Sequence, residues 1–107
     1  MDEDKIQSLR AELLAATAAW VVFEPNTEPT WERVRRDVAA DLHKRWRAGD
    51  LVGRTPTEAY FVRCDRTTMN QADLDSGLLV CEIGVALIRP AEFVIFQIGQ
   101  QTADAKC

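Results

Sequence analysis

The chain has 107 residues, enough for one domain with a modest core, and with 47% hydrophobic and 28% charged residues it is too apolar to be a disordered protein. A formal net charge of -4, from 13 basic and 17 acidic residues, argues against a general electrostatic affinity for nucleic acid. No apolar run approaches the ~20 residues that a membrane helix needs, and the acidic start lacks the cationic region of a secretory signal. Composition therefore predicts a single globular domain, residues 1 to 107, in the cytoplasm, with neither nucleic acid nor membrane as partner.

The first predicted element is a helix over residues 4 to 19. Five alanines favour helix, and apolar residues recur at steps of three and four. This apolar stripe consists of Ile6, Leu9, Leu13, Ala16 and Trp20. The apolar run Trp20 to Phe23 then predicts a short strand or a buried extended piece. Two prolines between Glu24 and Pro29 end any regular structure there.

The strongest helix pattern covers residues 30 to 48. Its apolar stripe consists of Trp31, Val34, Val38, Leu42 and Trp46. Asn26 or Thr27 is expected to cap this helix, with Pro29 in its first turn and Gly49 just after its end. Opposite charges four residues apart support it further, and the pairs are Glu32/Arg36, Arg33/Asp37 and Asp41/Arg45.

The remaining apolar segments predict strands. Residues 59 to 64 are rich in aromatic and β-branched types. The runs 78 to 89 and 91 to 100 are separated by Pro90, which suggests a hairpin. The order of elements predicts an α+β fold, with two helices packed on a small, mainly antiparallel sheet of about three strands.

Two polar segments complete the chain. The connection 65 to 77 predicts a short helical turn, with Asn70 as its N-cap, Asp73 three residues on, and Gly77 at its end. Residues 101 to 107 are predicted to form a flexible C-terminal tail.

The last predicted strand leaves an unprotected sheet edge. It has no proline and no charge from Phe93 to Gln101, whereas soluble proteins usually blunt such an edge. Its two faces are both largely apolar, which predicts cover on both sides. Either a strand of another chain pairs with it, or Val21 to Phe23 or a helix covers it internally. The pattern does not decide between these two interpretations.

The residue types that perform catalysis or bind metals form no recognisable group. His43 is the only histidine and has no nucleophile or carboxylate at suitable spacing, so it is predicted to be a surface or boundary residue. The run Asp73 to Gly77 has the alternating oxygens of a calcium loop, but Gly84 stands where the loop needs a glutamate. The three tryptophans are predicted to be core residues rather than a ligand cage. No catalytic residue, metal site or cofactor is predicted.

The cysteines also predict no chemistry. Their number is odd, and no Cys-x-x-Cys pair is present. Cys64 and Cys81 lie in apolar runs, where a free cysteine behaves as a small hydrophobe, so both are predicted to be reduced core residues. Cys107 is terminal and is predicted to be exposed.

Charge is distributed unevenly along the chain. Residues 31 to 54 hold seven cations and four anions, a balance of +3, which leaves six cations and 13 anions, or -7, in the rest. A solvated helix face with internal ion pairs is one interpretation. Docking of this basic helix to an acidic partner is the other.

Three long runs carry a family resemblance, and together they cover about residues 20 to 100. They are Trp20 to Pro29 with Trp31 and Val34-Arg35, Phe61 to Met69 with Gln71 to Gly77, and Arg89 to Ile98. Their order and spacing resemble the C-terminal domain of contractile tail sheath proteins, both of phage tails and of phage-derived contractile injection systems. Residues 1 to 19 match this family in helical character only, and the resemblance does not extend to its large N-terminal region or its N-terminal arm.

The resemblance implies a mechanical function without enzymatic activity. Sheath subunits stack as hexameric rings around an inner tube, and contraction drives the tube through a target envelope. It also implies assembly in the bacterial cytoplasm and a final place in a virion tail or injection particle. The implied partners are neighbouring sheath subunits, the inner tube protein, and baseplate and terminal cap proteins.

Two sets of site residues follow from the resemblance. The C-terminal domain is the inner, tube-facing layer of the sheath, and neighbouring subunits complete its sheet. The implied intersubunit strand residues are Phe93, Val94, Ile95, Phe96, Gln97 and Ile98. The implied tube-contacting residues on the basic helix are Arg33, Arg36, Lys44 and Arg47. A free-standing adaptor or capping module of the same fold is the alternative function, and a small enzyme is a third that the missing catalytic residues disfavour.

Overall fold

The computed structural model of the chain describes residues 2 to 87 and 93 to 105, with the side chains of residue 4 onward. Four helices and three strands lie within these ranges. The helices are α1 (Asp2–Val21), α2 (Glu28–Arg47), α3 (Pro56–Ala59) and α4 (Gln71–Asp75), and the strands are β1 (Tyr60–Arg63), β2 (Leu78–Ala86) and β3 (Phe93–Gln101). The strands form one antiparallel sheet in the order β1-β2-β3. The predicted α+β fold is confirmed.

Helix α1 is longer than predicted and buries a slightly different stripe. Leu9 and Leu13 are buried as expected, but the next buried side chain is Thr17 rather than the exposed Ala16. The Thr17 hydroxyl donates to the Leu13 carbonyl at 3.0 Å and accepts from the Gln100 amide at 2.8 Å, so it links α1 to β3. A threonine can occupy this core position because all its hydrogen bonds are made inside the fold.

The strand predicted for Trp20 to Phe23 is wrong. Helix α1 continues through Val21, and a turn follows in which the Phe23 N–H donates to the Trp20 carbonyl at 3.1 Å. The high helix propensity of the alanine-rich segment carries α1 through Trp20 and Val21, the first half of this run. Val22 and Phe23 are consequently exposed, by 47% and 78%.

Helix α2 follows its predicted pattern closely. The first four residues of the stripe are buried, namely Trp31, Val34, Val38 and Leu42, and Trp46 is half-buried. Thr27 is the N-cap, although its side chain makes no capping hydrogen bond, and Gly49 follows the C-terminus with a φ of 89°. Two predicted ion pairs form, namely Arg33–Asp37 at 3.7 Å and Asp41–Arg45 at 2.6 Å. The third, Glu32/Arg36, is not among the ion pairs of the described ranges.

The core lies between the two long helices and one face of the sheet. On β2 this face carries Leu79, Cys81, Ile83 and Val85, all fully buried. Helix α1 packs on β3 and α2 packs on β1. The hairpin predicted around Pro90 has both its strands, but residues 88 to 92 lie outside the described residues.

Of the two short helices, the sequence predicted α4 but not α3. The Asn70–Asp73 capping box of α4 is confirmed, because each side chain accepts from the other residue's backbone N–H. Gly77 follows α4 with a φ of 74°, and a Cβ there would overlap the backbone of Asp104 and Ala105. Helix α3 was not predicted, since its four residues, Pro56 to Ala59, are too few to show a helical periodicity.

A cluster around Asn26 holds the connection between α1 and α2 against the sheet. The Asn26 side chain donates to the Leu78 carbonyl at 3.0 Å and accepts from Trp31 Nε1 at 2.7 Å. Its backbone N–H donates to Asp104 Oδ2 at 2.9 Å. Asn26 was predicted as a possible cap of α2, but it serves as a buried bridge between three segments instead.

The flexible tail expected from residue 101 does not match residues 101 to 105. Gln101 belongs to β3, and Thr102 is 3% exposed, with its N–H and hydroxyl both bonded to the Gly77 carbonyl. The Ala103 N–H donates to the Glu24 carbonyl at 2.9 Å. These bonds fix the end of β3 against the α1–α2 connection. Residues 106 and 107 lie outside the described residues.

Replacing Asn26 with alanine should destabilise the fold strongly. The change leaves Trp31 Nε1 and the Leu78 carbonyl without partners in a buried place, which costs roughly 2–4 kcal/mol. Thr27→Ala is the matched control, because the exposed Thr27 side chain makes no capping bond and its loss should cost less than ~0.5 kcal/mol. Urea unfolding of both variants measures the difference, and equal losses would contradict the role of Asn26.

Candidate assembly surfaces

Strand β3 forms one edge of the sheet, and its first half is exposed. Phe93, Val94 and Ile95 are 40%, 39% and 57% exposed. Phe96 is half-buried and Gln97 is exposed, whereas Ile98 is fully buried in the core. The structure therefore places five of the six predicted strand-pairing residues at least partly at the surface.

Alternate backbone groups of β3 point away from the sheet. The Thr102 N–H bonds to Gly77, just before β2, whereas the Gln97 carbonyl bonds to Arg10 on the outer side. Because this direction alternates along an antiparallel strand, the N–H and C=O groups of Phe93, Ile95, Gln97 and Gly99 point outward. No backbone group within the described ranges bonds to these four residues from the outer side.

Arginines contact backbone carbonyls at both edges of the sheet. Arg10 of α1 donates from Nε to the Gln97 carbonyl of β3 at 2.9 Å. Arg35 of α2 donates to the Cys64 carbonyl just after β1 and also pairs with Glu28 at 2.9 Å. The hydrogen bond to Glu28 and its negative charge raise the pKa of Arg35. Sequence patterns could not reveal the Arg10 contact, because its partner is 87 positions away.

Internal cover of the β3 edge is therefore limited. Val21 to Phe23 do not pair with β3, since they form the end of α1 and a turn. Helix α1 packs on the core-facing side of β3 and reaches its edge through Arg10. Of the internal covers that the sequence left open, Val21 to Phe23 is wrong, whereas a helix contributes the Arg10 contact, and pairing with a strand of another chain stays a prediction.

The face of the sheet opposite the helices carries an apolar surface. Phe61 and Phe93 make an edge-to-face contact with ring centroids 5.2 Å apart. The register pairs Phe61 with Gly84 and Gly84 with Ile95, which places these residues in one row. Gly84 is needed in that row, because a Cβ would overlap the Phe61 ring. Helices α1 and α2 thus cover only one of the two faces that were expected to need cover.

The four predicted tube-contacting cations share one face of α2. At about 100° per residue they fall within a sector roughly 80° wide, opposite the buried stripe. This basic face consists of Arg33, Arg36, Lys44 and Arg47, with the small, exposed Ala40 between them. Arg33 pairs with Asp37 and lies over the Trp20 ring at 3.8 Å. The other three cations are exposed and make no ion pair with any residue in the described ranges.

Other cations of α2 are used within the fold. Arg45 contacts Asp41 at 2.6 Å and Glu12 of α1 at 3.6 Å, and these two carboxylates raise its pKa despite its partial desolvation. The charge surplus of the α2 region is therefore concentrated on the basic face.

The candidate catalytic and metal-binding residue types do not form a site within the described residues. His43 is half-buried, with Nδ1 3.1 Å from the Tyr60 hydroxyl and its ring 5.3 Å from that of Trp46. Residues 2 to 87 and 93 to 105 contain no group of three or more potential ligands able to hold a metal ion. Over the same ranges, no helix is both long and apolar enough to span a bilayer.

Cys64 and Cys81 are fully buried free thiols, as predicted. The pKa of the Cys64 thiol is raised far above its ordinary value, mainly by a hydrogen bond with Cys81 and secondly by burial. The thiolate is the reactive form, so this thiol is protonated and inert at neutral pH. Cys107 lies outside the described residues.

We expect neither buried thiol to react in the native protein. In a Cys107→Ser variant, a thiol-specific aromatic disulfide reagent should label nothing at pH 8 and should label two thiols once the chain is unfolded in guanidinium. Rapid native labelling would show that the β1–β2 pair opens readily.

Two solved structures are similar to this chain in both fold and sequence. A chain of the anti-feeding prophage (AFP) baseplate is 37% identical over 83% of this chain and 25% of its own length, with a TM-score of 0.66. A chain of the PVC sheath complex, from an extracellular contractile injection system in the contracted state, is 42% identical over 78% of this chain and 24% of its own, with a TM-score of 0.61. No protein-family model and no curated protein matches the chain.

These similarities connect the chain with the structural components of contractile injection systems, which are multi-subunit particles. The chain spans about a quarter of the length of the solved chains it matches.

Proposed function

We propose that the chain is a structural subunit of a contractile tail sheath, built of hexameric rings around an inner tube. Contraction of such a sheath drives the tube through a target envelope, and the subunit performs no covalent chemistry. The observation that carries this proposal is the exposed, apolar first half of the β3 edge, in a fold similar to a chain of a contractile sheath complex.

Within this proposal, the domain is the inner layer of the sheath and its sheet is completed by a neighbouring subunit. Outward N–H and C=O groups of Phe93 and Ile95 offer a ladder to an added strand. The side chains around that ladder are apolar, so pairing also removes exposed hydrophobic surface from water. A similar strand in each subunit would join the rings into a continuous lattice.

The basic face of α2 is the proposed contact with the inner tube. It points away from the sheet, so it remains accessible when β3 is paired. One exposed ion pair contributes only ~0.2–1 kcal/mol. Sixfold repetition in each ring would make the total substantial while each contact remains weak enough to release the tube on contraction.

The proposed location follows the particle. Assembly takes place in the bacterial cytoplasm, and the finished subunit belongs to a phage virion tail or to a contractile injection particle. Baseplate and terminal cap proteins are the further proposed partners, and the similarity to a baseplate chain supports the first of them.

A free-standing adaptor or capping module is the second candidate. It is favoured by the similarity to a baseplate chain. Such a module would add to one strand of one partner without forming rings. Negative-stain images of the purified chain with tube protein separate the two, since only a sheath subunit yields stacked rings.

Replacing Ile95 with proline should abolish assembly. Proline removes an outward N–H and leaves the β2–β3 ladder intact, because Ile95 does not donate to β2. Ile95→Thr is the matched control, since it keeps the amide and a strand-favouring side chain and should retain most assembly. Sedimentation of assembled particles is the measurement, with circular dichroism to verify folding. Unchanged particles from Ile95→Pro would mean that β3 does not form the intermolecular ladder.

Reversing the basic face should weaken attachment to the tube. Arg36, Lys44 and Arg47 changed together to glutamate lie off the buried stripe, so the fold should remain intact. Co-sedimentation with tube protein should fall for this variant, and wild-type attachment should fall as salt is added. A reversal of the exposed cations Lys5, Arg54 and Arg66 changes the charge equally elsewhere and should have little effect. Salt-independent attachment that survives the first reversal would refute this contact.

A further inference from the structure

The outer edge of β3 has two halves that differ in how the fold treats them. The first half, Phe93 to Ile95, is exposed, and no described residue bonds to its outward groups. The second half is partly occupied, because Arg10 bonds to the Gln97 carbonyl, and just beyond the strand the Ala103 N–H bonds to the Glu24 carbonyl. The transition between the halves lies at Gln97.

Gln97 is the residue that an added strand would meet next after Ile95. Each outward residue of the edge offers one N–H donor and one C=O acceptor to a new strand. A ladder that continues past Ile95 therefore needs the Gln97 carbonyl. That carbonyl is 2.9 Å from Arg10 Nε. Because this bond is charge-assisted, it competes well with the N–H of an incoming strand.

We infer that Arg10 gates strand addition at the β3 edge, limiting the ladder to Phe93–Ile95 until its guanidinium swings away. This inference rests on the proposed function, in which the β3 edge accepts a strand. Arg10 is exposed and lies on α1, so it can leave the edge without any change in the core. The gate restrains premature pairing while the subunit is free, and a strand long enough to pass Gln97 opens it.

The chemistry of the first half defines the strand that fits. Phe93 and Ile95 lie on the face opposite the helices, whereas Val94 lies on the core-facing side. The residues directly across from them in an added strand would contact apolar side chains on both faces. A charge at those positions would be desolvated without a partner. The partner is therefore an extended, uncharged, apolar segment of another protein chain.

Peptide binding to the purified chain tests the gate. The probe is a fluorescent peptide with the sequence of residues 93 to 101, flanked by lysines for solubility, and anisotropy gives its dissociation constant. Arg10→Ala should bind it about threefold to tenfold more tightly than the wild type, because one charge-assisted hydrogen bond no longer competes. Arg10→Lys keeps a cationic donor and should remain near the wild type.

Two controls separate the gate from other effects. Lys5→Ala removes one exposed cation from the same helix, away from the β3 edge. The gate predicts that this change leaves the affinity for the peptide unchanged. Ile95→Pro should remove binding in both the wild-type and the Arg10→Ala backgrounds. Melting curves verify that each variant is folded.

The outcomes distinguish the gate from strand addition itself. Equal affinities for wild type and Arg10→Ala, with binding still lost in Ile95→Pro, would overturn the gate and leave strand addition standing. Equal gains from Lys5→Ala and Arg10→Ala would also overturn it, since charge would then explain the effect. If no folded variant binds the peptide, both the gate and strand addition at this edge are wrong.

Discussion

Backbone hydrogen bonds at the two edges of the sheet are the constraint on which the domain depends. A sheet of three strands leaves one row of N–H and C=O groups on each side. At the β1 edge the strand has only four residues, and Arg35 bonds to the Cys64 carbonyl just after it. At the β3 edge the strand has nine residues and a single arginine contact. Over the described residues, the β3 edge thus offers the longer row of outward backbone groups, so it is the edge better suited to accept an added strand.

The β3 edge has a fixed position because the start of β2 and the segment just after β3 are both held. Asn26 joins the α1–α2 connection to the start of β2, and Asp104 and Ala103 bond back to the same connection. Gly77 allows the segment after β3 to pass close to the start of β2. An edge held in this way presents its ladder without first being ordered, which lowers the entropic cost of pairing.

Local patterns predicted the parts of this fold that local physics determines. The stripe of α2, the Asn70–Asp73 capping box and the apolar strands all arise from neighbours within a few residues. The failures share a different cause. Trp20 to Phe23 has a strand-like composition, but the alanine-rich helix preceding it continues into the first half of this run. Asn26, Arg10 and Thr102 act through partners 52, 87 and 25 positions away, which no periodicity encodes.

The two candidate surfaces lie on different sides of the domain, and this separation has a mechanical consequence. The basic face of α2 points away from the sheet, whereas the open ladder of β3 lies at the sheet's opposite lateral edge from α2. Residues that share no partner contribute to binding almost independently. In the proposed sheath, contacts between subunits would consist of backbone bonds and apolar side chains and would depend little on salt, while the charged contact with the tube would weaken as salt rises. Such a subunit could release the tube and keep its neighbours, which is the property that the proposed contracting sheath requires.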